Sequence, residues 1–298
     1  MKLLLLLLSY AFIAISFTLA KAVLAYSAPI FFVAFRMILA GAVLLAYCYW
    51  RNPYMLAVRK KEYGKFALIV LMHIYFSYVF DLLALQYMSS FRGAFIYNLS
   101  PFITALFSYF YFSEHMTPKK WLGLLIGFVG FVPELLVQAP GDSLCCISWG
   151  EFLMICSVFA AVVGWIVMRM LVKDGYSPLA INGIGMMGGG LLALVTSGVF
   201  EAWNPVPVSD WAQFLKITIA VIITANLIYY NLYGYLLRTY TATFMSFAGF
   251  LCPLYAAIFG WYFLGEQVTL TFFFSLFVVV IGLVIFYQEE LKQGYIRF

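Results

Sequence analysis

The residues of this chain most able to do chemistry are polar side chains inside long apolar runs. Such side chains are expensive to bury in a membrane, so they mark candidate substrate or ion sites. In the third apolar run, His73, Ser77 and Asp81 recur every four residues, with Tyr78 beside them. Residues at this spacing share one face of a helix. Because burying an unpaired carboxylate is costly, Asp81 is expected either to be protonated or to have a cation as its partner.

Arg36, in the second apolar run, is the cation expected at the depth of Asp81. One interpretation is a structural ion pair that holds two helices together. The other is a functional pair that recognises a charged substrate or carries protons, with His73 as a third titratable group. The sequence leaves both interpretations open.

Aromatic and amide side chains extend this set to other runs. The predicted substrate-binding residues are Tyr78, Asp81, Asn98, Trp165, Asn226, Tyr230 and Tyr233. Asn98 precedes Pro101, which frees a backbone carbonyl one turn earlier. Trp165 lies deep in the sixth run, away from either membrane interface. The alternatives are core packing for Trp165, packing or lipid contact for the tyrosines, and repair of the kinked backbone by Asn98.

The elements that must position these side chains are membrane-spanning helices. Hydrophobic residues make up 65% of the 298 residues and charged residues 10%, and the mean hydropathy is +1.00. Soluble domains carry about 25% charged residues. The length allows about ten spans of roughly twenty residues each, with no room for a soluble catalytic domain. We therefore predict an all-α integral membrane protein with ten transmembrane helices.

Several kinds of chemistry have no matching pattern in the sequence. The five cysteines are scattered without metal-ligand spacing, and no GxxxxGK[ST] phosphate-binding loop occurs. We expect no metal and no cofactor, and we expect Cys145 and Cys146 to be free thiols. The net charge of +5 reflects basic loop residues, so no nucleic acid partner is expected. With only two histidines, a membrane-embedded enzyme is disfavoured.

One long pattern occurs twice, at 101–132 and at 253–284. Pro101, Glu114, Thr117 and Gly130 fall opposite Pro253, Glu266, Thr269 and Gly282. We predict a first unit of five helices at 1–138, an outward-facing linker at 139–148 and a second unit of five helices at 149–298. An odd number of helices in each unit makes the second unit inverted relative to the first, and inverted repeats place a binding site between them.

The motifs in these segments resemble those of a known family. Ala34-Phe35-Arg36, the run from Leu99-Ser100-Pro101 to Ser113-Glu114-His115-Met116-Thr117, and the run from Leu251-Cys252-Pro253 to Gly265-Glu266-Gln267-Val268-Thr269 are similar to the EamA family of the drug/metabolite transporter superfamily. The resemblance covers essentially the whole chain. It implies a secondary active transporter of small organic metabolites that works by alternating access.

The resemblance names no substrate. We take amino acids or related compounds as the leading expectation, and a nucleoside-bearing metabolite such as S-adenosylmethionine as the second. A non-transporting or channel-like subunit is the alternative from another class. The expected partners are a small-molecule substrate, the lipid bilayer, and a proton or counter-substrate, with the protein acting as a monomer or weak dimer.

Orientation follows from the loops that carry lysine and arginine, since basic loops stay in the cytoplasm. Most of the 17 basic residues fall on one predicted side, which also carries both termini. We therefore predict cytoplasmic termini in a multi-pass protein of the plasma membrane, the inner membrane of a bacterium.

Overall fold

The computed structural model describes residues 2–87, 93, 96–130, 133, 148–252, 254–255, 258–259 and 270–295. This part of the chain is all-helical, with no named strand and one isolated bridge between Ser27 and Val208. Its main helices are α1 (Lys2–Val23), α2 (Pro29–Arg51), α3 (Lys60–Ala84), α4 (Ser100–Phe112), α5 (Pro118–Gly130), α6 (Trp149–Lys173), α7 (Pro178–Phe200), α8 (Trp211–Leu236), α9 (Ala242–Ala248) and α10 (Leu270–Lys292).

Six helical segments are long and apolar enough to cross a membrane. They are α2, α3, α6, α7, α8 and the Phe273–Lys292 part of α10. A stretch of about twenty apolar residues matches the thickness of the hydrocarbon core. The expectation of an all-helical, multi-pass membrane protein is thus confirmed.

Two helices depart from regular α geometry at similar places. Ile69–Phe76 in α3 and Ile222–Tyr229 in α8 are π-helical. A π-helix closes its hydrogen bonds over five residues, one more than an α-helix. Each stretch therefore rotates the side chains on either side of it relative to a regular helix.

Glycines bring two helix pairs into backbone contact. A Cβ atom on Gly41 of α2 would lie 2.6 Å from the backbone nitrogen of Met187 in α7. A Cβ atom on Gly282 of α10 would lie 2.5 Å from the carbonyl oxygen of Gly123 in α5. Small residues permit such approaches in membrane bundles, where dispersion contacts hold helices together.

At one end of the bundle, the α7–α8 loop is tied to the start of α2. The Glu201 carboxylate accepts hydrogen bonds from the backbone nitrogens of Ile30 (2.7 Å) and Phe31 (2.8 Å). The first amides of a helix lack partners within the helix, so this carboxylate satisfies two of them and complements the helix dipole. The backbone nitrogen of Ser209 also donates to the carbonyl oxygen of Tyr26 at 2.9 Å.

At the opposite end, charged groups link α3 to the α6–α7 turn. Lys65 Nζ donates to Asp174 Oδ2 at 2.7 Å and lies 2.8 Å from Glu62 Oε2. The hydrogen bond from Lys65 lowers the pKa of Asp174, which lies just after α6. Because the contact is partly exposed, its contribution to stability is small.

Two further ion pairs at this end are buried. Lys120 Nζ lies 2.9 Å from Glu290 Oε1, joining α5 to α10. Arg169 Nη1 lies 2.5 Å from Glu114 Oε1, joining α6 to the α4–α5 turn. Glu114 is expected from its position to bind amides at the start of the next helix. It pairs instead with Arg169, which is distant in sequence and which helix packing brings beside it.

Several predicted features lie outside the described residues. These are Pro253, Glu266 and Thr269 of the second repeat, the adjacent cysteines Cys145 and Cys146, and the predicted linker except for Ser148.

Candidate functional site

A cavity lies among the side chains of α1, α2, α3, α4, α6, α8 and α9. Its atom-free space is about 990 Å³, including its open part. Most of the predicted site residues line it: Arg36, Tyr78, Asp81, Asn98, Trp165, Tyr230 and Tyr233.

The aromatic residues form one continuous group on the cavity wall. The hydroxyl group of Tyr78 in α3 donates a hydrogen bond to that of Tyr230 in α8. The Trp165 ring of α6 stacks on Tyr233, with centroids 3.8 Å apart and planes at 29°. Trp165 and Tyr230 have centroids 5.1 Å apart. The cavity is therefore lined by aromatic rings, the kind of side chain against which planar ligands stack.

The charged residues of the cavity do not bind one another. Arg36 is 3% exposed and Asp81 is 8% exposed, and their charges are close enough to interact. Nevertheless, no ion pair between them occurs in the described structure, and Asp81 Oδ1 has no hydrogen-bond partner. The guanidinium carbon of Arg36 instead lies 4.3 Å from the centre of the Tyr78 ring and 4.9 Å from that of Phe32. The structural ion pair considered from the sequence is therefore not formed here.

Asn98 also reaches the cavity with unused hydrogen-bonding capacity. It is buried, and its amide nitrogen has no hydrogen-bond partner. Together with Arg36, it supplies donors to a cavity whose acceptors include Asp81. A ligand that carries both donors and acceptors fits this arrangement.

Two predicted residues do not line the cavity. The Asn226 amide nitrogen donates to Met37 Sδ at 3.1 Å and faces Met186 Sδ at 3.8 Å. The His73 ring is buried 4.3 Å from the Trp165 ring, measured between centroids, and neither ring nitrogen has a hydrogen-bond partner. Both residues lie in the π-helical stretches, where the spacing of an α-helix no longer gives the correct face.

Several lining residues are absent from the predicted set. They include Tyr10, Tyr97, Ser157, Tyr229 and Ser246. The hydroxyl group of Tyr10 donates to the carbonyl oxygen of Met245, which joins α1 to α9. Tyr10 and Ser246 are polar side chains within apolar runs, so the criterion that selected Asp81 could also have selected them. Tyr229 is adjacent to Tyr230, and regular α periodicity would have placed it on another face.

Comparisons with known proteins agree on the kind of protein. The model of the EamA-like transporter family matches residues 1–132 and 148–288. A solved crystal structure superposes with a TM-score of 0.77, covering 97% of this chain and 96% of the other, at 15% sequence identity. At that identity, the superposition shows a shared fold.

Relatives from Chlamydia carry a more specific name. A protein of Chlamydia trachomatis serovar L2 is 36% identical over 289 residues, which are 94% of this chain and 87% of the relative. A protein of Chlamydia muridarum is 34% identical, covering 94% of this chain and 90% of the relative. Both are named S-adenosylmethionine/S-adenosylhomocysteine transporters.

Proposed function

The chain belongs to the EamA-like transporter family, and from this premise we propose that it exchanges S-adenosylmethionine for S-adenosylhomocysteine across a membrane by alternating access. The observation that carries the proposal is the similarity to relatives named for these two compounds, which extends over 94% of the chain. The leading expectation from the sequence, amino acids as substrates, has no such support, and the second expectation takes its place.

The chemistry of the cavity supports this substrate class. Both compounds contain an adenine ring, and bases stack on aromatic side chains with about 1–3 kcal/mol each. Trp165, Tyr230 and Tyr233 provide such surfaces within one cavity. Both compounds also carry a carboxylate and an ammonium group, for which the cavity holds Arg36 and Asp81.

We further propose that the transporter consists of ten spans in two inverted units of five, at 1–138 and 149–298. Three observations support this arrangement. The π-helical stretches of α3 and α8 occur at corresponding places. Tyr78 and Tyr230, which are 152 residues apart and equivalent in the repeat, bind each other. The family model also matches the chain in two stretches separated near the predicted linker.

An internal symmetry axis explains why equivalent residues would touch. Residues related by a two-fold axis meet only where they lie close to it, and inverted-repeat transporters bind substrate near this axis at the middle of the membrane. The Tyr78–Tyr230 contact on the cavity wall fits this position. We propose cytoplasmic termini on the distribution of Lys and Arg. We propose a location in the inner membrane of a bacterium because the relatives named above are from Chlamydia.

Counterflow in proteoliposomes tests the proposal. Purified protein is reconstituted into liposomes loaded with unlabelled S-adenosylhomocysteine, S-adenosylmethionine, methionine or buffer, and uptake of labelled S-adenosylmethionine is measured. We expect several-fold faster initial uptake with either adenosyl compound inside than with methionine or buffer. Uptake that is the same in all four preparations would exclude exchange and would favour a channel-like subunit.

A pair of tyrosine variants links transport to the cavity. Tyr230→Ala removes one aromatic surface, and the loss of about 1–3 kcal/mol of stacking corresponds to a roughly 5- to 140-fold higher KM. Tyr111→Ala removes an exposed ring on α4 and should leave KM unchanged. A wild-type KM in the Tyr230 variant would mean that this ring serves packing rather than binding.

A further inference from the structure

Arg36 differs from the other buried cations in having no carboxylate partner. Among the described residues, the buried cations are Arg36, Lys120 and Arg169. Lys120 pairs with Glu290 at 2.9 Å, and Arg169 pairs with Glu114 at 2.5 Å. The Arg36 guanidinium lies against the rings of Phe32 and Tyr78 and forms no ion pair with a described carboxylate, and its Nε atom has no hydrogen-bond partner.

A buried guanidinium without an anion is costly, and cation–π contacts offset only part of that cost. An anionic group of a ligand that binds beside the guanidinium would offset this cost. The planar fork of arginine is well suited to this task, because it binds a carboxylate through two parallel hydrogen bonds.

Asp81 is the corresponding exception among the buried acids. Glu62, Glu114 and Glu290 each lie within 4.0 Å of a lysine or arginine nitrogen. Asp81 has no ion-pair partner in the part of the chain that the structure describes, and its Oδ1 atom accepts no hydrogen bond. The cavity thus holds one unpaired cation and one unpaired anion on neighbouring helices.

These two charges match the two charges of an α-amino acid group. We propose that Arg36 binds the α-carboxylate, and Asp81 the α-ammonium group, of the methionine or homocysteine part of the ligand. This inference rests on the proposed function and assigns the ends of the ligand within the same cavity. The aromatic wall of Trp165, Tyr230 and Tyr233 then takes the adenosine end.

The assignment explains how one site serves both partners of an exchange. S-Adenosylmethionine and S-adenosylhomocysteine differ by one methyl group on sulfur and by its positive charge. They share the amino acid group and the adenosine that the proposed contacts recognise. Since the amino acid group brings a carboxylate and an ammonium of opposite charge, binding leaves the net charge of the Arg36–Asp81 pair unchanged. A site that recognises the shared ends binds both compounds with similar affinity, as exchange requires.

Ligands that lack one group at a time test the assignment. Binding is measured on the purified full-length protein with S-adenosylmethionine, its decarboxylated form, and 5′-methylthioadenosine, which has no amino acid group. Arg36→Gln should weaken the binding of S-adenosylmethionine by about 10- to 100-fold, the value of a hydrogen-bonded charge, and leave the decarboxylated form within about two-fold. Asp81→Asn should weaken the binding of S-adenosylmethionine and of its decarboxylated form, and leave the affinity for 5′-methylthioadenosine unchanged.

Controls separate this inference from the proposed function and from misfolding. Arg238→Gln removes an exposed arginine and should change none of the three affinities. If Arg36→Gln does not elute as a monodisperse protein, Arg36→Lys replaces it and should still prefer the carboxylated ligand, by a smaller factor. If the wild-type protein binds neither adenosyl compound, the proposed function is wrong. If the wild-type protein binds them but Arg36→Gln weakens the binding of S-adenosylmethionine and of its decarboxylated form equally, only the assignment of Arg36 is wrong.

Discussion

The buried Lys120–Glu290 pair should be the most sensitive point for stability at its end of the bundle. Its side chains are 1% and 0% exposed, and the charged atoms lie 2.9 Å apart. Thr241, which caps α9 through the Phe244 backbone nitrogen, donates its hydroxyl to the same carboxylate, 2.7 Å from Oε2. One network therefore joins α5, α9 and α10.

Removing one member of this network leaves a buried charge without its partner. Lys120→Met leaves the Glu290 carboxylate with the Thr241 hydroxyl alone, and breaking a buried pair costs about 3–5 kcal/mol. Glu290→Gln should cost less, because the Lys120 ammonium keeps contacts with the rings of Phe286 (5.3 Å) and Tyr295 (4.6 Å). Such contacts are worth roughly 0.5–2 kcal/mol each.

The double variant is the informative one. Replacing Lys120 and Glu290 together by methionine removes both charges, and well-packed apolar replacements of buried pairs are often neutral. We expect the double variant to be within about 1 kcal/mol of the wild type in free energy of unfolding, and therefore more stable than Lys120→Met. For a protein of this size, about 3–5 kcal/mol corresponds to a fall in Tm of roughly 6–20 °C.

Thermal unfolding in detergent, followed by tryptophan fluorescence, measures these differences. Lys119→Met is the matched control, because Lys119 is adjacent in sequence and exposed. Its Tm should stay within about 2 °C of the wild type, as for most surface substitutions. A wild-type Tm for Lys120→Met, or a double variant as unstable as the sum of the two single variants, would refute the coupled network.

Two further predictions concern packing and pH. Gly41→Ala should lower Tm, because the new Cβ atom would lie 2.6 Å from the Met187 backbone and overpacking costs about 1–3 kcal/mol. Gly198→Ala is the control: its Cβ atom would meet no atom within 4 Å, and the substitution should raise Tm slightly. The hydrogen bond from Lys65 lowers the pKa of Asp174. The ionised carboxylate therefore adds under about 1 kcal/mol to the free energy of unfolding. This contribution is present above the unfolded pKa near 4 and is lost as the pH falls through the lower folded pKa. Thermal unfolding at pH 6 and pH 3 should show a Tm difference between wild type and Asp174→Asn that is smaller at pH 3 than at pH 6.

The helical architecture could be predicted because each membrane-spanning helix is recognised from the hydropathy of its own residues. In lipid, a run of about twenty apolar residues can pair all its backbone hydrogen-bonding groups only as a helix. Long apolar runs such as α6 and α7 are therefore recognisable as helices from the sequence. The same reasoning selected Arg36 and Asp81, because charges within such runs are rare enough to stand out. Both side chains line the cavity.

Partners between distant helices could not be predicted in this way. Glu114 follows α4 and was expected to cap the next helix, but it contacts Arg169 near the end of α6. Which acid meets which base depends on helix packing, and nothing in either local sequence encodes it. The same holds for Glu290, whose partners Lys120 and Thr241 come from two other elements.

Asn226 and His73 were predicted for the site but do not line the cavity, because their helices depart from regular α geometry. In a regular α-helix, Asn226, Tyr230 and Tyr233 would share a face, and one extra residue in a π-turn changes the direction of a side chain by roughly 100°. Asn226 lies inside the π-helical stretch and contacts Met37, whereas Tyr230 and Tyr233 follow it and reach the cavity. His73 has the same relation to Asp81 in α3. Since π-helical turns give up regular hydrogen bonding and are frequent at functional sites, their presence beside Tyr78 and Tyr230 is itself an argument that these residues belong to the substrate site.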